Sequence, residues 1–300
     1  MKWKRLFVVI ILLVVVGWAV DIKEKLSFSK APGPSLAVLS AVMMDADTGK
    51  WLYTSNAKEA LPPASMSKMM TELLVLDAVQ AGELSWSEPV VASEYAAQVG
   101  GAGMDLTAGQ SATVKELFQA MAIHSANDAT IALVEYIAGS EAEFVERMNV
   151  KAREIGLSEN THFANATGLT SVDLDSFATA ATDGETMMTA EDVALLARNL
   201  IETHPEVLKV TKEASAFVAV GNGKQTDLKT TNEMLPGQRF GTKGNDGLKT
   251  GYTERAGYCF TGTTVIDGRR FITVVMGAST PEARFEETKK LLAYAEGNLS

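Results

Sequence analysis

Pro62-Pro63-Ala64-Ser65-Met66-Ser67-Lys68-Met69-Met70 is the stretch on which the fold turns. The two prolines forbid helix before Ser65. Met69, Met70, Leu73, Leu74, Leu76 and Val79 then recur as the apolar positions of a helix, which predicts Ser65 at a helix N-terminus. There the dipole and the free N–H groups favour developing negative charge, and Lys68, one turn on, shares the face of the hydroxyl. The plainer reading of the same residues is an N-cap serine with a solvated lysine. The pattern S-x-x-K arises by chance roughly once in a chain of this length. Ser27-Phe28-Ser29-Lys30 is such a match, beside a Pro- and Gly-rich linker that would hold nothing rigid. Context therefore has to separate the two.

Working outward, the segment from Leu36 to Met44, the turn Asp45-Ala46-Asp47-Thr48-Gly49 and Trp51-Leu52-Tyr53 predict a hairpin. A second strand pair, Tyr258 to Val265 and Arg270 to Met276, closes the chain around Ile266-Asp267-Gly268-Arg269. The middle reads as helical. Thr113-Val114-Lys115-Glu116 and Ser140-Glu141-Ala142-Glu143 are capping-box sequences, the first followed by Leu117, Phe118 and Met121 at helical spacing. Thr189 opens a helix running toward Asn199, and Gly139 and Gly156 are stops. The expected fold class is α/β of the α+β kind: an antiparallel sheet built from both chain ends, flanked by helices, with a helical subdomain.

Composition excludes several classes of function. The 300 residues carry a net charge of -10, which leaves no basic stripe to neutralise phosphates, so no nucleic-acid partner is expected; the charge otherwise serves solubility. Cys259 is the single cysteine, which rules out a disulfide framework within one chain. His124, His162 and His204 lack metal-ligand spacing, so neither metal nor other cofactor is expected. Lys2, Lys4 and Arg5 precede an apolar run from Leu6 to Val20, the order of an export leader. Residues 1–20 are a cleaved signal peptide, with Gly17-Trp18-Ala19 as a cleavage option, or a retained membrane anchor. Either way the chain after Val20 lies outside the cytoplasm. Residues 21–35 form a linker and residues 36–300 the folded domain.

Two further motifs follow Ser65 in the chain. Ser125-Ala126-Asn127 falls at a break between two apolar helices, from which a hydroxyl and an amide can project into a cleft; a plain helix–helix corner is the alternative. His124, beside it, reads as a packed residue and not a triad base. Ser158-Glu159-Asn160 also matches S-x-N but reads as a turn and helix start. Lys249-Thr250-Gly251 reads as a strand able to hold an extended peptide end, or else as a charged edge strand. Thr280-Pro281-Glu282 reads as N-cap, N1 and acidic first turn, which places Arg284 at the start of the last helix. Together these residues supply a hydroxyl nucleophile, a lysine base, a hydroxyl and amide relay, and cations for a carboxylate, without a histidine.

Pro63-Ala64-Ser65-Met66-Ser67-Lys68-Met69-Met70, Ser125-Ala126-Asn127-Asp128-Ala129 and Asp246-Gly247-Leu248-Lys249-Thr250-Gly251-Tyr252-Thr253 resemble the low-molecular-mass D-alanyl-D-alanine carboxypeptidases among the penicillin-recognising serine peptidases. The likeness runs from about Ala37 to Leu292. It implies a β-lactamase/transpeptidase-like fold and removal of the terminal D-alanine from peptidoglycan stem pentapeptides in cell-wall maturation. By the resemblance, Ser65 attacks the carbonyl between the two D-alanines, Lys68 takes its proton, and Ser125 with Asn127 relays protons and orients the substrate. Lys249 supports the network electrostatically, Thr250 and Arg284 hold the terminal carboxylate, and Gly251 and Tyr252 belong with these three to the substrate-binding residues, with the Ser65 and Tyr252 N–H groups as the oxyanion hole. It also implies that β-lactams acylate Ser65.

The chain departs from that pattern in two places. It ends about fifteen residues after Arg284, without the C-terminal β-domain and amphipathic helix of many members, so membrane attachment would rest on the N-terminus. Thr170 to Glu185 reads as a longer, polar surface excursion with no part in chemistry. The alternatives are a D,D-endopeptidase that cuts cross-links with the same residues, a non-catalytic penicillin sensor and a class A β-lactamase. The last needs a separate deacylating acid that no convincing E-x-x-x-N supplies.

Overall fold

A computed structural model describes residues 33–174, 177, 184–220 and 224–299. The leader, most of the linker and much of the Thr170 to Glu185 stretch lie outside the described residues, as does the match Ser27-Phe28-Ser29-Lys30. Leu36–Ser300 forms one compact unit.

Its strands are β1 Ser40–Asp45, β2 Trp51–Ser55, β3 Pro89–Val91, β4 Ser111–Thr113, β5 Ser215–Val220, β6 Lys224–Lys229, β7 Asn245–Thr253, β8 Gly257–Ile266 and β9 Arg269–Ala278. At its centre is a five-stranded antiparallel sheet in the order β2-β1-β9-β8-β7, while β3-β4 and β5-β6 are separate pairs. The sheet is thus made from both chain ends, as expected, but it has one strand more than the two hairpins: Lys249-Thr250-Gly251 lies within β7, the edge strand beside β8. The run Ala41-Val42-Met43-Met44 is apolar at every position because the sheet is covered on both faces. Ala41 and Met43 join Phe271, Val275, Leu291 and Ala295 under the last helix, Ala283–Leu299. Val42 and Met44 join Ile272, Val274 and Met276 on the opposite face, against the helical side of the core.

On that side the helix Lys68–Gln80 (α1) is buried over most of residues 68–76, where Lys68, Thr71 and Glu72 are enclosed together with Met69, Met70, Leu73, Val75 and Leu76. Helices Asn127–Ala138 (α2), Glu141–Glu154 (α3) and Ala190–Thr203 (α4) pack against it. Thr113 makes the full reciprocal capping box with Glu116. Ser140 makes half of one: its hydroxyl accepts from the Glu143 N–H, and the exchange is not returned. Gly139 ends α2 in the left-handed region, where a residue without Cβ is unstrained. Thr189 caps α4, which runs on to Thr203. Ser158-Glu159-Asn160 is a turn and opens no helix; its serine hydroxyl donates to Asp192 at 2.6 Å. A hairpin that the sequence reading did not anticipate, Ser215–Val220 with Lys224–Lys229, extends beside the helical side and leads the chain to Thr231. Among the described residues no helix is long and apolar enough to cross a membrane.

Candidate active site

Ser65 lies in a 3₁₀ turn, Ala64–Ser67, and Lys68 is the first residue of α1. Ser65 is therefore just ahead of the helix and not its N-cap. Ala64 holds φ at +49°, a conformation that costs an alanine about 1–2 kcal/mol, so the surroundings must impose it. Gly168 is one reason: a Cβ there would run into the Ala64 carbonyl oxygen and the Ser67 hydroxyl, so only glycine lets the two segments meet. Gly251 is the other. Its Cβ would come within 2.6 Å of the Pro63 carbonyl oxygen, which shows how closely β7 lies along the Ser65 turn.

Lys68 is fully buried and its ammonium nitrogen meets three oxygens: Ser65 Oγ at 2.8 Å, Asn127 Oδ1 at 2.6 Å and the Thr167 carbonyl at 2.8 Å. Two of these are acceptors only. Asn127 is oriented by its own Nδ2, which donates to the Gly100 carbonyl at 2.7 Å and leaves Oδ1 toward the lysine. A neutral amine would spend both its hydrogens on Asn127 and Thr167, leaving its lone pair on the Ser65 hydroxyl. Burial, with Lys249 adding to it, pulls the Lys68 pKa well below the ordinary lysine value, which favours that amine.

The parts that hold this geometry come from distant segments. Asn165 Oδ1 accepts from the Thr167 and Gly168 N–H groups at 3.1 and 2.6 Å, and so aims the Thr167 carbonyl. Glu141, buried beneath, accepts from the Tyr95 hydroxyl and the Ala166 N–H. Asp128 accepts from the Met104 and Leu106 N–H groups, fastening the loop that supplies Gly100.

Ser125 ends a π turn, Ala120–His124, in the left-handed conformation at φ +66°. Such turns and such strain concentrate at functional sites. Ser125 is buried, two residues before Asn127, and its hydroxyl makes no hydrogen bond to the other site residues among the described residues. His124 is half-buried rather than packed away, and its Nδ1 meets the Lys229 carbonyl at 2.9 Å.

Lys249 is 1% exposed, so the charged-edge reading of β7 does not hold. Its nitrogen has one long hydrogen bond, to the Thr250 carbonyl at 3.3 Å, and burial pulls its pKa down to about 8. The Thr250 hydroxyl donates to Thr231 Oγ1 at 2.6 Å. Arg284, at the start of the last helix as expected, donates to the Gly251 carbonyl at 3.4 Å and lies over the Tyr258 and Phe285 rings. Among the described residues it has no carboxylate partner, and its Nε has no acceptor. Tyr252, half exposed, stacks on Tyr258 with ring centroids 4.3 Å apart. Sequence reasoning missed Thr167, Asn165, Gly100 and Thr231. Glu72, buried one turn beyond Lys68, was missed as well; its spacing from Lys68 was the available signal.

A serine hydroxyl on a buried lysine of depressed pKa, with an arginine that has no carboxylate partner among the described residues beside an edge strand, is the arrangement of a serine acyl-transfer enzyme class. The D-alanyl-D-alanine carboxypeptidase family Peptidase_S11 matches residues 27–280, and the chain belongs to that family. The D-alanyl-D-alanine carboxypeptidase DacF of Bacillus subtilis is 40% identical over 274 residues, covering 90% of this chain. The chain spans about two thirds of the length of such relatives: 66% of DacF and 62% of DacC of Escherichia coli. PBP3 of Streptococcus pneumoniae, described as a peptidoglycan synthesis regulatory factor, superposes with a TM-score of 0.81 at 39% identity, covering 88% of this chain and 80% of its own. Penicillin-binding protein D2 of Listeria monocytogenes, solved with ampicillin bound, gives 0.72 at 36% identity over 88% of this chain and 98% of its own. The β-lactamase-like fold expected from the motifs is therefore the fold of the chain.

Proposed function

We propose that the protein is a serine-type D-Ala-D-Ala carboxypeptidase that trims peptidoglycan stem pentapeptides through an acyl-enzyme on Ser65. The observation that carries this reading is the Lys68 nitrogen, held by two acceptor-only oxygens with its third direction on the Ser65 hydroxyl. Lys68 takes the Ser65 proton as Oγ bonds to the carbonyl carbon between the two D-alanines. The oxyanion lies against the N–H groups of Ser65 and Tyr252, a type of contact worth about 3 kcal/mol of barrier. Ser125, with Asn127 beside it, gives its proton to the departing nitrogen and regains one from the Lys68 ammonium; the bond from the carbonyl carbon to that nitrogen breaks, and D-alanine leaves with Lys68 again the amine. Water then cleaves the ester and returns the Ser65 hydroxyl.

Thr250 and Arg284 bind the terminal carboxylate. Arg284 supports this role because, among the described residues, its cationic N–H groups have no carboxylate partner beside the Gly251 strand. Hydrogen bonds to a charged group contribute about 1.5–3 kcal/mol. Arg284→Ala is therefore expected to lower kcat/KM by about ten- to a hundredfold for a peptide with a free C-terminal carboxylate, and to leave its amide-capped analogue nearly unchanged. Steady-state assays on the two peptides check this; an equal loss on both would remove Arg284 from the carboxylate site.

The pKa directions imply a bell-shaped pH dependence. The rate climbs as Lys68 becomes the amine and falls as Lys249 loses its proton, near the value of about 8 to which burial brings it. The substrate lies in the cell wall, so the enzyme works outside the cytoplasm, delivered by residues 1–20 as cleaved signal or retained anchor, and it accepts β-lactams as covalent inhibitors.

A further inference from the structure

Glu72 has no part in the steps above, yet it is the least explained side chain in the molecule. It lies on α1 four residues after Lys68, so the two share a helix face. It is fully buried, and neither carboxylate oxygen has a hydrogen-bond partner among the described residues. A buried carboxyl group with no hydrogen bond is costly, and packing alone would be served better by an apolar side chain of similar size.

The charged groups around it divide unevenly. Glu72 faces two of them, Lys249 across from β7 and Lys68 on its own helix. Glu72 favours the ammonium form of Lys68 too, against the burial and the Lys249 charge that lower it; Glu141 and Asp128 act on Lys68 in the same direction as Glu72, but both of those carboxylates are engaged by Tyr95 and by backbone N–H groups. Lys249 faces Glu72 and Arg284, and Arg284 acts against its charge. Glu72 is thus the carboxylate whose field reaches Lys249, whose own nitrogen has one long hydrogen bond. Burial raises the Glu72 pKa, the two lysines, Lys249 foremost, offset part of that rise, and the carboxyl stands at about 7.

We propose that Glu72 is a positioning residue that keeps the two site lysines in opposite protonation states, holding Lys249 as the ammonium while Lys68 remains the free amine. One negative and one positive charge then cancel in the desolvated pocket, and the second lysine stays uncharged. This rests on the reading of Lys68 as the base. No covalent step passes through Glu72.

The test is the pH profile of the second-order rate constant for acylation by a fluorescent penicillin, measured on the full chain for wild type, Glu72→Gln and Glu72→Asp. Limb positions do not depend on what fraction of a variant is folded. The expected result for Glu72→Gln is an alkaline limb moved at least about one pH unit lower, hence a loss of about tenfold or more above the limb, with the acid limb displaced the same way because Glu72 also favours the Lys68 ammonium. Glu72→Asp, which keeps the charge, should return the limb toward wild type. If Glu72→Gln lowers the rate evenly with both limbs in place, or changes nothing, while wild type is bell-shaped, the proposal alone is overturned. A wild type without a rising acid limb would overturn the assignment of Lys68 as base, and this proposal with it.

Discussion

Ser65→Ala is expected to abolish both peptide cleavage and covalent penicillin labelling while leaving the fold in place. Among the described residues the hydroxyl has one hydrogen-bond partner, the Lys68 nitrogen at 2.8 Å, and the serine is only partly buried. Its loss removes the nucleophile and leaves the other two bonds of Lys68, to Asn127 and Thr167. Intact-protein mass after penicillin treatment reports labelling, and the thermal midpoint reports the fold. Without the nucleophile no acyl-enzyme forms, so the expected residual activity is background. Retained cleavage with an unchanged midpoint would move the chemistry to another residue.

Lys68→Ala is the second large effect. General-base contributions are about 10²–10⁴-fold, and the buried, three-bonded lysine sets this one toward the upper part of that range. The variant also strands the Asn127 Oδ1 and Thr167 carbonyl oxygens in a buried space, so some loss of stability accompanies it. The pH profile separates the two consequences. With the base gone, the rising acid limb should vanish from whatever acylation remains, whereas simple loosening of the site would lower the rate and keep the limb.

Much of this site was legible because its chemistry is carried by side chains in short local patterns. Ser65, in the 3₁₀ turn that Pro62-Pro63 announces, lies one turn before Lys68 at the start of α1, and the Thr113 capping box and the Gly139 stop are likewise local. Thr167 was not legible because it contributes a backbone carbonyl from 99 residues away, and any residue type presents a carbonyl. Thr231 reaches Thr250 only because an unforeseen hairpin brings it there. For Lys249 the sequence left a substrate-holding strand and a charged edge strand both open, because nothing local shows that Gly251 lets the Ser65 turn pack against β7, where Lys249 is buried. The one-sided Ser140 cap shows that a capping-box sequence fixes the helix start without fixing both hydrogen bonds.

The central claim, hydrolysis of the terminal D-Ala-D-Ala bond at Ser65, is tested most directly by mass spectrometry of muropeptides incubated with the protein, uncross-linked pentapeptide beside cross-linked dimer, with Ser65→Ala as control. The account predicts that the pentapeptide loses one alanine, the dimer stays joined and the control changes neither. Splitting of the dimer with the pentapeptide intact, or no change in either while penicillin still labels Ser65, would contradict it.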